Sequence, residues 1–406
     1  MIGGHKNPEI DGQGMNMIHG RKNTTHRRGP GRFRPGSARL ALCLIALLTA
    51  SAAAFAQVTT PQEDGRKAAV VEKKIKPNII IIPVIYYTPE TRLALGAGGV
   101  INYRFGNDKR NTRPSSLWLM AVYTTKNQIQ LSLKPEIYLT KNAYILGAYL
   151  KYERFPRDFY GIGDNVGGDG ESYTPENFGL HLSVKKQFFK SFYAGLQYHV
   201  EKTTIQKVVT GGLLDSGGYI GREGGVLSGL GFSLNWDTRD NIFFPRSGWF
   251  IQFAADFYNK AFGSDYHYSS TSLDLRTYIP VRAKDVLALQ LCMRDMVGEV
   301  PFYELAMLGG STMMRGNYSG KFRDKALLAV QAEYRMPIWK WFGAAVFSGL
   351  GNVGPDLRDV TFNHLKHSFG GGIRIRLDKK EGTNLRFDYA WGNESTGFYM
   401  TVQEAF

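Results

Sequence analysis

Most of the chain consists of short segments in which apolar and polar residues alternate one by one. In residues 271–279, Leu273 and Leu275 fall on one side of an extended chain, and Asp274 and Arg276 fall on the other. Successive side chains of a β-strand point to opposite faces, so this pattern predicts strands with one apolar and one polar face. The same alternation recurs in residues 230–237 and 384–391.

These segments are about 9 to 15 residues long and predict sixteen strands between residues 79 and 406. Transmembrane β-strands need about 9 to 11 residues, and single-chain bacterial barrels have an even strand number. The longest predicted connections all follow odd strands, which matches the short-periplasmic, long-extracellular pattern of such barrels. The connections are 156–176, 207–227, 300–326 and 352–365. The sequence therefore predicts an all-β fold, a transmembrane antiparallel β-barrel of about sixteen strands. A soluble β-sandwich or propeller is the alternative, because alternation alone does not distinguish lipid from a partner sheet.

The N-terminal region has the composition of an export signal. Residues 1–39 hold eight Lys or Arg against two acidic residues, a basic and polar stretch that cannot form a core. The apolar run 40–48 follows, and then the small residues that end in Ala54-Phe55-Ala56. That order is typical of a secretory signal peptide with an A-x-A cleavage site. We expect a leader and signal at 1–56, a short periplasmic leader at 57–78 and the barrel at 79–406.

Charge and residue types disfavour several functions. The formal net charge is +15, but the basic residues are interspersed with acidic ones and form no stripe of the kind that binds nucleic acid. Beyond the signal peptide only Cys292 remains, so no intrachain disulfide is expected. His364 and His367 lie near each other, but two histidines without further ligands are weak support for a metal site. We expect no enzyme, no cofactor and no nucleic-acid partner.

A glycine-rich loop between two long predicted strands is the most distinctive motif. Residues 308–324 read LGGSTMMRGNYSGKFRD and contain one Arg-Gly pair. The loop resembles the long surface loop of the bacterial surface antigen family, which includes the barrel domains of BamA-like and TamA-like proteins. In that family the loop folds back into the barrel lumen. The resemblance marks Arg315, Gly316, Asn317 and Tyr318 as a lumenal loop motif, although Asn317 stands where an aromatic residue usually follows Arg-Gly.

The resemblance also predicts acidic partners for Arg315, since an isolated buried charge is strongly penalised. In the family, a Glu on the next strand and an Asp on the strand after it hold the arginine. Glu333 matches the first position, but Gly349 stands where the family often has Asp. Asp388 and Asp274, both on predicted lumenal faces, are the alternative partners.

The end of the chain resembles the family's assembly signal. Phe398, Met400 and Val402 recur at every second position, and Phe406 is an aromatic residue at the end of that row. Glu404 interrupts the row with a charge. We expect one alternating strand, 395–406, that Phe406 closes.

The family resemblance implies a function in assembling or translocating outer-membrane proteins. It also implies residence in the outer membrane of a Gram-negative bacterium, in contact with its lipid, its assembly machinery and unfolded barrel substrates. The 22 residues of 57–78 are too few for a POTRA module, so a barrel without POTRA domains is expected. The alternative is a passive pore or a structural surface antigen without insertase activity.

Overall fold

The computed structural model describes residues 78–88, 92–104, 112–125, 128–282, 284–360, 363–377 and 382–406. They form a 17-stranded sheet in which every strand pairing is antiparallel. Apart from the short β6 and the end strands β1 and β19, each strand of this sheet pairs with the long strands before and after it in sequence, so alternate connections lie at the same end of the sheet. The predicted all-β antiparallel fold is confirmed at this level. The predicted signal peptide and leader lie outside the described residues.

The first half of the sheet contains β1 (Asn78–Thr88), β2 (Arg92–Tyr103), β3 (Ser115–Thr124), β4 (Ile129–Tyr138), β5 (Tyr144–Arg154), β6 (Arg157–Phe159), β7 (Glu171–Phe189), β8 (Phe192–Lys207) and β9 (Gly224–Asp237). The second half contains β10 (Gly248–Tyr258), β11 (Tyr268–Pro280), β12 (Val286–Gly298), β15 (Ala326–Trp339), β16 (Phe342–Gly354), β17 (Lys366–Arg376), β18 (Asn384–Gly392) and β19 (Thr396–Val402). A separate two-stranded sheet, β13 (Ala306–Met307) and β14 (Arg323–Asp324), lies in the connection between β12 and β15.

Helical structure within these residues is short. It comprises α1 (Leu213–Ser216) and the 3-10 turns Thr140–Asn142 and Lys260–Phe262. No described helix has the length and hydropathy needed to cross a membrane.

The two faces of the sheet have the reverse of the burial found in a water-soluble protein. On β9, the side chain of Trp236 is 51% exposed, whereas its neighbours Asn235 and Asp237 are each 5% exposed. β8 repeats the pattern, with Leu196 exposed and Gln197 buried. We call these two sides the apolar face and the polar face. Exposed apolar and buried polar side chains suit a sheet that meets lipid on one side.

Several strand ends differ from the sequence prediction, among them those of β7 and β19. β7 begins at Glu171 rather than at 177, because Tyr173 and Pro175 continue the alternation as buried residues despite the turn-like composition around them. β19 ends at Val402 rather than at Phe406. Gln403 has a φ of 73°, a left-handed conformation that stops the extended chain.

The long connections at one end of the sheet pack against one another. Phe159, Tyr219 and Phe302 come from three of these connections, and their rings meet edge to face with centroids 4.9 to 5.3 Å apart. Such pairs stabilise beyond the area that they bury. The packed connections hold the 299–325 loop, which carries the Arg-Gly motif, in a fixed position at its start.

Candidate functional site

The loop 299–325 reaches the polar face of the last strands of the sheet. At its tip, Gly316 has a φ of 98°, and a Cβ atom there would lie 2.5 Å from the carbonyl carbon of Trp391 on β18. Only glycine combines that backbone conformation with so close an approach. The Gly316 N–H donates to the hydroxyl of Tyr399 on β19 at 2.9 Å, and the Ser395 hydroxyl donates to the Gly316 carbonyl at 2.6 Å. The Arg-Gly pair therefore sits directly on the β18–β19 hairpin.

Arg315 is buried and ion-paired on two sides. Its Nη2 lies 2.6 Å from Glu333 Oε2 on β15, and its Nη1 lies 2.5 Å from Asp388 Oδ2 on β18. The side chains of Arg315, Glu333 and Asp388 are 1%, 0% and 0% exposed. The Phe347 ring on β16 covers the guanidinium, with its centroid 3.4 Å from Cζ. Both carboxylates thus offset the cost of burying a cation that water does not reach.

Three further arginines extend these pairs into an ion cluster. Arg335 Nε lies 2.7 Å from Glu333 Oε1, and Arg374 Nη1 lies 2.6 Å from Asp388 Oδ1. Arg374 also binds Glu404 at 2.8 Å, and Arg386 Nε lies 3.4 Å from Asp388 Oδ2. The ion cluster consists of Arg315, Arg335, Arg374 and Arg386 with Glu333, Asp388 and Glu404.

Among the side chains of the cluster, four guanidinium groups accompany three carboxylates. Main-chain oxygens accept from two of the remaining donors, since Arg386 Nη2 donates to the Ser311 oxygen at 2.8 Å and Arg335 Nη2 donates to the Phe406 oxygen at 2.7 Å. Each such hydrogen bond from a charged donor offsets part of the desolvation of the arginine.

The structure separates the three candidate partners of Arg315. Glu333 and Asp388 contact it, whereas Asp274 binds Arg276 at 2.5 Å on its own strand and accepts from Gln290 at 2.8 Å. Asp274 therefore lies outside the ion cluster, because Arg276 two positions along β11 is the nearer cation.

Glycines make room for this arrangement. A Cβ at Gly349 would lie 2.9 Å from Met314 Sδ, so glycine at this position admits the loop residue next to Arg315. A Cβ at Gly372 would lie 2.0 Å from Asp388 Oδ1. Residue 372 must therefore lack a side chain for Asp388 to reach the cluster.

Asn317 and Tyr318 anchor the rest of the motif. Asn317 is 1% exposed, and its side chain donates to the His367 carbonyl at 2.9 Å and accepts from the Asn393 N–H at 2.8 Å. The Tyr318 hydroxyl accepts from the Asp158 N–H at 3.1 Å, and its ring meets Tyr160 edge to face. Asn317 thus binds β17 and the turn between β18 and β19, while Tyr318 packs against the 155–170 connection.

Two basic residues near the end of the loop, Lys321 and Arg323, bind neighbouring segments. Lys321 Nζ lies 2.5 Å from Glu394 Oε2 in the turn between β18 and β19. The hydrogen bond and then the charge of Lys321 lower the pKa of Glu394 below its ordinary value. Arg323 Nε donates to the Gly320 carbonyl at 2.7 Å, and Gly163 N–H donates to the Arg323 carbonyl at 2.8 Å. The loop therefore bridges the 155–170 connection and the β18–β19 hairpin.

The predicted row of apolar residues near the C-terminal end divides into two groups. Phe398 and Met400 are exposed on the apolar face, and Val402 is half-buried. Phe406 is 4% exposed and packs with Tyr278, Val286 and Ala288 of β11 and β12. Phe406 therefore does not close the predicted strand 395–406, because residues 403–406 leave the strand and turn toward the polar face.

Sequence reasoning missed Arg335, Arg374 and Arg386. A signal was present, since Glu333 and Arg335, and likewise Arg386 and Asp388, stand two positions apart on one strand and therefore share its polar face. Within the described residues, no group of three or more His, Cys, Asp or Glu could hold a metal ion. The buried ion pairs of Arg315 with Glu333 and Asp388 make the site an electrostatic clamp on a loop.

A model of the Omp85 superfamily domain matches residues 105–406, which is most of the chain. The chain belongs to the Omp85 superfamily. The resemblance to BamA-like barrels is therefore confirmed at the level of the family.

Two solved structures are similar to this Omp85 chain in fold. BamA from Haemophilus ducreyi lacking POTRA domains 1–3 is 18% identical, with a TM-score of 0.50 over 80% of this chain and 69% of that one. CdiB from Escherichia coli is 10% identical, with a TM-score of 0.51 over 80% of this chain and 61% of that one. At identities this low, the TM-scores show a shared fold.

Proposed function

We propose that this Omp85 chain is an outer-membrane β-barrel that assists the insertion or translocation of other proteins. The observation that carries the proposal is the docked loop, in which the superfamily's Arg-Gly motif is buried against two carboxylates of the sheet. The family membership supports the same role, because BamA and CdiB share the fold.

The proposal includes a closed barrel of sixteen strands. The 17-stranded sheet contains the three-residue β6, and the other strands are long enough to form the wall. Closure would join β1 and β19, which in the described residues pair with β2 and β18 respectively. The polar face then lines the lumen, and the apolar face meets lipid, because open sheet edges are not stable in a bilayer.

Exposed aromatic residues support placement in a membrane. Phe188, Trp236, Trp249 and Trp339 are each more than half exposed and lie at the same end of the sheet, on β7, β9, β10 and β15. Aromatic side chains form girdles of this kind at membrane interfaces. We place this end in the periplasm, with the long packed connections at the cell surface and a signal peptide before residue 57.

The docked loop supports an assembly function over a passive pore. A conducting pore requires an open lumen, whereas the loop crosses the polar face from the 155–170 connection to the β18–β19 hairpin. The motif residues would keep the resting barrel closed. The hairpin that they hold ends at β19, where the proposed barrel closes against β1, and we call this junction the seam. Motion of that seam would therefore require the loop contacts to change.

Reconstitution tests the function directly. Purified protein in lipid vesicles should accelerate the folding of a urea-denatured outer-membrane barrel, measured by its heat-modifiable shift on a gel. Arg315→Met should reduce the acceleration, and Glu223→Gln, whose side chain is 85% exposed away from the cluster, is the matched control. In cells, depletion followed by profiling of the outer-membrane proteome should show loss of client proteins that the wild-type gene restores.

A passive pore would give a different set of results. The protein would then leave the folding rate of the denatured barrel unchanged, and depletion would leave the surface proteome intact. Steady single-channel conductance of the wild-type protein, equal to that of a variant lacking 308–324, would also contradict the proposal.

A further inference from the structure

We propose that residues 403–406 form an internal strut that is energetically coupled to the Arg315 loop. The strut and the loop are linked through side chains that both of them bind. Their coupling passes through the shared ion cluster, so undocking either segment weakens the docking of the other.

The strut begins directly after β19, and contacts at both of its ends hold it in place. Gln403 has a left-handed backbone conformation, and its N–H donates to the Asn384 carbonyl at 2.8 Å. The Asn384 side chain donates to Glu404 Oε1 at 2.8 Å. At the other end the Phe406 ring packs on Tyr278 and Ala288. A four-residue segment thus connects β18 with β11 and β12 across the polar face.

The charge of Glu404 explains why the strut turns inward. Its side chain is 2% exposed, with Oε2 at 2.8 Å from Arg374 Nε and 3.8 Å from Arg335 Nε. On the apolar face the same carboxylate would meet lipid, where a charge is costly. The residue that interrupts the apolar row is therefore the positioning residue of the strut.

Two arginines transmit the coupling. Arg335 binds the Phe406 carbonyl through Nη2 and Glu333 through Nε, and Glu333 binds Arg315 through its other oxygen. Arg374 bridges Glu404 and Asp388, and Asp388 also binds Arg315. Each route from the strut to the loop therefore passes through one arginine and one carboxylate, and all of these side chains are buried.

Loss of Glu404 changes the balance at both carboxylates that hold the loop. Arg335 and Arg374 would lose a shared anion and draw more strongly on Glu333 and Asp388, at the expense of Arg315. Because coupling between sites is reciprocal, undocking of Arg315 should loosen the strut by the same factor. At the periplasmic end of the proposed barrel, the strut thus reports the state of a loop that begins at the cell surface.

Amide hydrogen exchange in lipid nanodiscs tests the coupling. In Glu404→Gln, we expect exchange of amides 311–318 to rise on the order of tenfold, the factor typical of losing a hydrogen bond between charged groups. Asp237→Asn is the matched control, because Asp237 is also a buried carboxylate with two arginine partners, Arg113 and Arg239, but has no contact with the ion cluster. The control should leave amides 311–318 unchanged.

Reciprocity gives a second arm. Arg315→Met should raise exchange at Gln403, whose N–H is protected by the Asn384 carbonyl. If Glu404→Gln does not fold, Phe406→Ala keeps every charge of the cluster and removes only the ring that anchors the strut. The wild-type protein alone provides a third measurement, since amides 311–318 and 403–406 should open with the same denaturant dependence in native-state exchange.

Three results would overturn the inference. Glu404→Gln could loosen only residues 403–406, or Asp237→Asn could loosen the loop equally, which would indicate general destabilisation. Separate opening of the loop and the strut in the wild-type protein would show that they are independent. None of these readouts depends on insertase activity, so the inference and the proposed function can fail separately.

Discussion

The imbalance of the ion cluster predicts that its acidic and basic members contribute unequally to stability. Four guanidinium groups face three side-chain carboxylates, and the counts that follow are of side chains. Glu333→Gln leaves four cations with two anions, and removing one partner of a buried ion pair costs about 3–5 kcal/mol. Arg315→Met leaves three cations with three anions and places a thioether under the Phe347 ring, a favourable contact for sulfur. We expect Arg315→Met to cost about 1–3 kcal/mol, since hydrogen bonds to charged groups are lost but a desolvated excess charge is removed.

Reversible urea unfolding in lipid vesicles, followed by tryptophan fluorescence, measures both variants. Glu333→Gln should have the lower midpoint at an unchanged slope, and the double variant should cost less than the sum of the single variants because the residues are in contact. Glu223→Gln, with an exposed carboxylate, should leave the midpoint unchanged. An Arg315→Met variant that is as unstable as Glu333→Gln would show that charge balance does not govern the cluster. Strict additivity in the cycle would show that Arg315 and Glu333 do not interact.

Three further outcomes follow from individual contacts. Phe406→Ala should destabilise the protein by about 3–5 kcal/mol, as for other buried aromatic residues, and reduce the heat-modifiable folded fraction on a gel; an unchanged fraction would contradict the buried position. Gly372→Ala should displace Asp388 and lower the unfolding midpoint well below that of Gly371→Ala, whose added Cβ would meet its nearest neighbour at 3.4 Å; equal midpoints would argue against the close approach. Because Lys321 lowers the pKa of Glu394, their contact should be complete above the ordinary glutamate pKa and be lost as the pH falls through the lowered one. Carboxyl NMR titration should then show the Glu394 pKa rising toward its ordinary value in Lys321→Met.

The alternation of side chains made the sheet predictable from the sequence. On β9, for example, Leu230 and Trp236 were assigned to one face and Ser233 and Asp237 to the other, and the exposures of these residues follow that division. The strand ends were harder, because Gln403 has no sequence signal for its left-handed conformation. The start of β7 was hidden by Pro175, which is buried at a register shift where a missing N–H is tolerated.

The clamp on the loop was predictable only in part. The resemblance supplied Arg315 and Glu333, but the choice between Asp388 and Asp274 depends on which arginine lies nearest to each carboxylate. Arg276 stands beside Asp274 on β11, and no sequence pattern reveals that this pair excludes a contact with the loop. The position of Phe406 likewise depends on Arg335, which lies 71 residues away in sequence.

The exchange of one acidic partner for another has a simple electrostatic basis. The family resemblance places the second acid at the position of Gly349, whereas here β18 supplies Asp388. A guanidinium presents donors in a planar fork, so a carboxylate can bind it from either of two neighbouring sides. Glycine at 349 admits Met314, and glycine at 372 admits Asp388. The second carboxylate that binds Arg315 therefore lies on β18. The loop is consequently tied to the hairpin that borders the proposed seam, where the family pattern ties it to β16.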